Sequence, residues 1–161
     1  MKDIFKFALE FEKENRQYYE KAARGTDNKY LKEVFQELAA EEKKHEEIVK
    51  ALAENREKDE VKSDIIPRAE KVFAAMTENK EETVLPKEQV DIYKEALKLE
   101  KKSKNYYKEK AEQSKDEAKK VFLELSREEE KHEKIIKNII ELVNRPNTWL
   151  EDPEWYHIED Y

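Results

Sequence analysis

Six side chains in this sequence have the type and spacing to hold metal ions. Glu42-Lys43-Lys44-His45 and Glu129-Glu130-Lys131-His132 are both Glu-x-x-His. In a helix, a separation of three residues puts both side chains on one face, about a turn apart, where they can reach one ion. Glu12 and Glu100 interrupt apolar helical seams in the same manner. Four carboxylates and two imidazoles turned into a low-dielectric core are prohibitive without compensation. Two divalent cations would offset the four negative charges. The competing explanation is chance, because 40 of the 161 residues are acidic and a Glu three positions before a His is then common. Glu154-Trp155-Tyr156-His157 is a third such motif. It has no counterpart and falls in a stretch outside the helical segments, so it is set aside as coincidence.

What lifts the other two motifs above chance is register. Residues 34–50, VFQELAAEEKKHEEIVK, match residues 121–137, VFLELSREEEKHEKIIK, at 11 of 17 positions with an offset of 87. Residues 8–19, ALEFEKENRQYY, match residues 96–107, ALKLEKKSKNYY, at 6 of 12 with an offset of 88. Abundant Glu and Lys produce some identities by accident, but not Val-Phe, Tyr-Tyr and His in step. The chain is an internal duplication. The one-residue difference in offset falls in a turn, where insertions are tolerated.

The elements that must carry these residues are helices. Apolar positions recur at alternating steps of four and three over about residues 3–24, 28–55, 86–113 and 114–143, as amphipathic helices require. Asp3 is a candidate cap of the first segment, and Gly25, the one glycine, stands at its end, where helix termini favour that residue. Pro86 suits a helix start, and Ser114-Lys115-Asp116-Glu117 reads as a capping box opening the fourth segment. Short connections within each pair force antiparallel hairpins. Residues 56–85 then form a long crossover with a short helix over about 67–79. The expectation is an all-α four-helix bundle over 1–145, built from two duplicated hairpins, followed by an aromatic, acidic tail over 146–161.

Composition narrows the chemistry. The chain has no cysteine, which excludes disulfides, thiolate zinc sites, Cys-ligated iron–sulfur clusters and thiol nucleophiles. No apolar run approaches the ~18 residues of a membrane span. Charged residues make up 45% of the chain, with signs mixed and a net charge of −7, leaving no basic patch for nucleic acid. MKDIFKFALEFEKENR does not read as a signal peptide, so a cytoplasmic location is expected.

At these residues the chain resembles the ferritin-like di-iron carboxylate superfamily, and within it the rubrerythrin-like branch without a rubredoxin domain. Such bundles place a Glu on each of two helices and a Glu-x-x-His on each of the other two. The resemblance covers about residues 3–143 and fills all six ligand positions. It implies two iron ions per chain, with Mn or mixed occupancy as the variant that hard and borderline O/N ligands also suit. Glu42 and Glu129 would bridge the ions, Glu12 and His45 would terminate one, and Glu100 and His132 the other. Tyr19 and Tyr107 lie seven residues after Glu12 and Glu100. Tyrosines so placed approach the di-iron site in this family, although packing alone would also explain them. In related bundles an acid at the positions of Glu41 and Glu128 accepts a histidine N–H, but solvent-facing charge is the simpler expectation. Arg16 and Lys104, at matched seam positions, are expected to reach toward the bundle edge.

The chain also departs from the family. Without cysteine, any reductant must come from a separate electron-donor protein. The extra Glu that rubrerythrins carry one turn after the third-helix ligand is here Ser103, and its first-half equivalent is Asn15. The ligand set is the symmetric six of bacterioferritin, but neither Met1 nor Met76 can be assigned as that family's haem ligand, so no haem is expected. The implied function is a di-iron oxidoreductase reducing hydrogen peroxide or dioxygen. A ferroxidase or iron-storage protein and a metal-free helical interaction module are the alternatives. A homodimer is expected by family, with the long crossover allowing hairpin exchange.

Overall fold

The four long periodic segments form helices where their spacing predicts them. A computed structural model describes residues 2–79 and 89–144 and, among these, five helices: α1 (Asp3–Arg24), α2 (Lys29–Ala53), α3 (Ile65–Glu78), α4 (Val90–Glu112) and α5 (Asp116–Asn144). α1 packs along α2 and α4 along α5; the two hairpins meet through α1 against α4, while α2 and α5 touch only lightly. α3, the short helix of the crossover, lies on that lightly packed face and contacts both α2 and α5. The architecture is the all-α, ferritin-like bundle of two hairpins that the duplication predicts. Among the described residues, no helix is long and apolar enough to cross a membrane. Pro86, the remaining crossover residues 80–85, and the tail with Trp149, Trp155 and the Glu154/His157 motif lie outside the described residues.

Helix ends differ from expectation in three places. Asp3 is the first helical residue and caps nothing; Lys2 holds the N-cap position. Gly25 does end α1, but at φ −88° and ψ −3°, a backbone any residue adopts. The left-handed end belongs to α2. Asn55 there has φ 53°, and the Arg56 N–H reaches the Ala51 carbonyl at 2.8 Å, closing the helix as glycine usually does. Ser114 is the third case. Its hydroxyl donates to the Lys110 carbonyl at 2.6 Å, so it finishes α4 instead of capping α5, and the reversal passes through Asp116 at φ 55°. Asn28 is a true cap: its Oδ1 accepts the Tyr30 and Leu31 N–H groups, both at 3.0 Å, satisfying two donors that a helix start leaves unpaired.

The core has two apolar parts. One, toward the α1–α2 turn, gathers Leu31, Phe35, Leu38, Tyr93, Ile136 and Ile139 with the inner face of α3. The other, toward the α4–α5 turn, gathers Ala8, Ile48, Val49, Phe122 and Leu125. Because neighbouring helices run antiparallel, each of the four long helices contributes to both clusters and passes between them at mid-length. The residues it presents there are polar.

Candidate metal centre

That middle layer contains Glu12 from α1, Glu42 and His45 from α2, Glu100 from α4, and Glu129 and His132 from α5, all with no solvent exposure. Glu12, Glu42, His45 and Glu129 offer ligand atoms within 4.8 Å of one another, and so do Glu42, Glu100, Glu129 and His132. Glu42 and Glu129 belong to both groups. His45 Nδ1 lies 2.7 Å from Glu129 Oε1, 3.5 Å from Glu12 Oε2 and 3.6 Å from Glu42 Oε2. His132 Nδ1 repeats the pattern, 2.7 Å from Glu42 Oε1 and 3.4 Å from Glu100 Oε1. Each histidine therefore faces the shared glutamate of the opposite hairpin, and the two rings stack with centroids 5.5 Å apart.

The surrounding residues repeat the same exchange between halves. Tyr19 donates to Glu100 Oε1 at 2.5 Å, and Tyr107 donates to Glu12 Oε1 at 2.6 Å. Each tyrosine thus serves the glutamate of the other hairpin, not the one seven residues before it. Asn15 Nδ2 donates to Ser103 Oγ at 2.8 Å, so the two neutral residues at equivalent positions pair with each other between α1 and α4. Arg16 and Lys104 do not extend freely to the edge. Arg16 Nε holds Glu46 at 3.0 Å and Lys104 Nζ holds Glu133 at 2.7 Å, and these acids directly follow His45 and His132.

Glu41 and Glu128 overturn the expectation of solvent-facing charge. Both are buried, because α3 and the segment before it cover the face on which they lie. Glu41 is held by Arg68, while Glu128 accepts the Ser63 N–H at 2.8 Å and pairs with Lys131 at 2.6 Å. Neither takes a histidine N–H; His45 Nε2 and His132 Nε2 have no hydrogen-bond partner. The sequence pattern missed Ser63 and Arg68, since only the docking of the crossover gives them a role; the Lys131–Glu128 pair, three residues apart on α5, was open to a spacing argument.

Electrostatics divide the four central acids into two kinds. Burial works against the charged form of all four. At Glu12 and Glu100 the facing charges of His45 and His132 overcome it, holding Glu12 below the usual carboxylate range and Glu100 at about 2. At Glu42 and Glu129 burial is reinforced by neighbouring carboxylates, Glu100 first, and both rise well above that range. Burial draws the histidines down, but the Glu12 and Glu100 charges prevail and raise them. Burial, with Glu100 or Glu12 alongside, also pushes the Tyr19 and Tyr107 phenols up, so both remain donors at neutral pH. The spare atoms show that the layer fits metal ions: Glu12, Glu42, Glu100 and Glu129 each keep a buried Oε2 with no hydrogen-bond partner, an arrangement that costs free energy unless a cation is accepted.

A family model described as Rubrerythrin matches residues 3–90 and 91–156, nearly the whole chain, with the division at the start of the second hairpin. The chain belongs to the rubrerythrin family. Comparison with curated proteins and with solved structures gave no match. Rubrerythrins are a ferritin-like di-iron family, and the carboxylate–histidine groups here are of the kind that could hold metal. The chain has no cysteine, so these residues hold no rubredoxin-type centre.

Proposed function

We propose that this rubrerythrin is an oxidoreductase that reduces hydrogen peroxide or dioxygen at a pair of iron ions, using electrons from a separate donor protein. The observation that carries the reading is the overlap of the two ligand groups at Glu42 and Glu129. Membership of both groups suits those carboxylates to bridging, while Glu12 with His45, and Glu100 with His132, each belong to one group and suit terminal positions. Iron bound there would supply one electron per ion and a Lewis acid for O–O cleavage. Manganese or a mixed pair would satisfy the same donors.

The protein's own groups do the rest. Reduction of one peroxide to two waters consumes two electrons and two protons. Tyr19 Oη and Tyr107 Oη hold protons within hydrogen-bond distance of Glu100 and Glu12, where they can orient the carboxylates and relay protons. The apolar clusters above and below exclude bulk water, which strengthens every charge interaction between them. Asn15 and Ser103, uncharged and bonded to each other, close the α1–α4 side without adding a fifth carboxylate.

The test is an anaerobic Fe(II) titration of the metal-free protein, followed by a sub-stoichiometric pulse of peroxide or air. The expected outcome is two irons per chain and a near-ultraviolet ferric band that forms faster with peroxide than with air. Fast oxidation by air with sluggish peroxide turnover would favour a ferroxidase. No saturable binding would leave a metal-free helical module.

A further inference from the structure

Glu41 and Glu128 are buried charges just outside the six-residue layer, and each immediately precedes a glutamate shared by both ligand groups. The partners that reach them from outside their own helices come from one stretch of the crossover. Arg68, in the first turn of α3, donates through Nη2 to Glu41, through Nη1 to Glu37, and through Nε to Asp64 at 2.7 Å. Ser63 donates its N–H to Glu128 at 2.8 Å, and its carbonyl accepts from Lys131 at 3.1 Å while Lys131 also holds Glu128 at 2.6 Å. One contact thus fastens α2 and the other fastens α5. These are the two helices that bear the Glu-x-x-His motifs and that touch each other only lightly, with α3 resting on both.

We propose that residues 63–68 act as a spacer that fixes the separation of α2 and α5 at the level of Glu42 and Glu129, with Ser63 and Arg68 as positioning residues for the metal pair. The proposal rests on the reading of Glu42 and Glu129 as shared ligands. The chemistry of the partners suits the task. A guanidinium held by three carboxylates is a planar, directional tie that a lysine cannot reproduce. A backbone N–H bonded to a buried carboxylate is also fixed in direction, because the peptide cannot rotate away as a side chain does. Groups that orient metal ligands without touching the metal typically change affinity by roughly 10–100-fold when removed.

The experiment titrates Co(II), an optical stand-in for Fe(II), into the full metal-free chain and follows stoichiometry, affinity and the visible band. Arg68→Met and Glu128→Ala are expected to weaken binding by roughly 10–100-fold and to alter the band. Arg68→Lys, which keeps the charge and loses the fork, is expected to fall between Arg68→Met and the unaltered chain. Lys58→Met breaks another crossover ion pair, to Glu117 at 2.5 Å, away from the polar layer, and should leave both cobalt ions and their band unchanged. Glu128→Gln keeps an acceptor for the Ser63 N–H, and a weakening smaller than that of Glu128→Ala supports the spacer. If the truncations fail to fold, Arg68→Lys is compared with the unaltered chain instead, where weaker cobalt binding supports the spacer and equal affinity and band would overturn it. Unaltered affinity and band in Arg68→Met, with only a lower melting temperature of the metal-free chain, would overturn it. If the unaltered chain takes up no cobalt, the metal-centre reading itself falls, a result distinct from uptake that ignores Arg68.

Discussion

Burial pushes the Glu42 and Glu129 carboxyls up, and the charges of Glu100 and their other neighbours push them further. A carboxyl raised in this way stabilises the fold below its unfolded value near 4.5, and that contribution is lost as pH rises through the folded value. His45 and His132, raised from 6.5 against the pull of burial, have the same sign: their contribution is complete below 6.5 and is lost above it. Glu12 and Glu100 have the opposite sign, and their contribution disappears only toward the folded value of about 2 at Glu100. The metal-free chain is therefore expected to melt at progressively lower temperature as pH rises from about 6.5 toward the alkaline side. Metal uptake should release protons, and release less as pH rises. Calorimetry of the chelated protein across pH, with pH-stat titration of Co(II), checks both. All six of these residues could be located from the sequence, because seam position and duplication mark them without further help. The environment of Glu41 and Glu128 could not be read so. Helical periodicity sets each beside the seam, and what buries it is a crossover whose docking no local pattern announces.

Helix lengths and partners were readable because four-and-three spacing and short connections determine them; how the helices end depends on backbone angles that residue type only biases. Gly25 illustrates the difference. A Cβ there would lie 3.4 Å from the Lys21 carbonyl oxygen and 3.8 Å from that of Ala22, ordinary contacts at a right-handed backbone. Gly25→Ala is expected to leave stability unchanged or raise it by about 0.4–1 kcal/mol, through the unfolded chain. Asn55, at φ 53°, is the position with the steric demand. Asn55→Ala should cost about 1–2 kcal/mol, and Asn55→Gly should be tolerated. Urea unfolding of the three variants decides whether the assignment of the left-handed end to α2 is right. Ser114 departs from its sequence pattern for a related reason. A Ser-x-x-Glu pattern serves either the end of one helix or the start of the next, and the left-handed Asp116 shifts the start of α5 past it.

At the scale of the molecule, the two halves are equivalent in sequence but interlocked in structure. Tyr18 and Tyr106 extend the exchange beyond the polar layer, each donating to a main-chain carbonyl of the other hairpin, at Ile92 (2.8 Å) and Ile4 (2.7 Å). Neither hairpin alone holds a complete ligand group, since both groups draw on Glu42 and Glu129. The duplication showed that the halves would match; it did not show that the histidines and tyrosines of each half would reach the glutamates of the other, while Arg16 and Lys104 stay with acids of their own hairpin.

The polar layer also divides the apolar core into two clusters, with consequences for cooperativity. Four acids and two imidazoles, none exposed, form a weak joint between two well-packed ends when no cation neutralises them. Each end can then open without dragging the other with it, in the manner of separate cooperative units. Cations shared by α2 and α5 would weld the joint. Native-state hydrogen exchange is expected to show amides near Phe35 and Ile139 opening with one free energy and those near Val49 and Phe122 with another in the chelated protein, merging to a single, higher value on metal loading. Metal loading would then act on folding as well as on the ligand groups, making two halves behave as one.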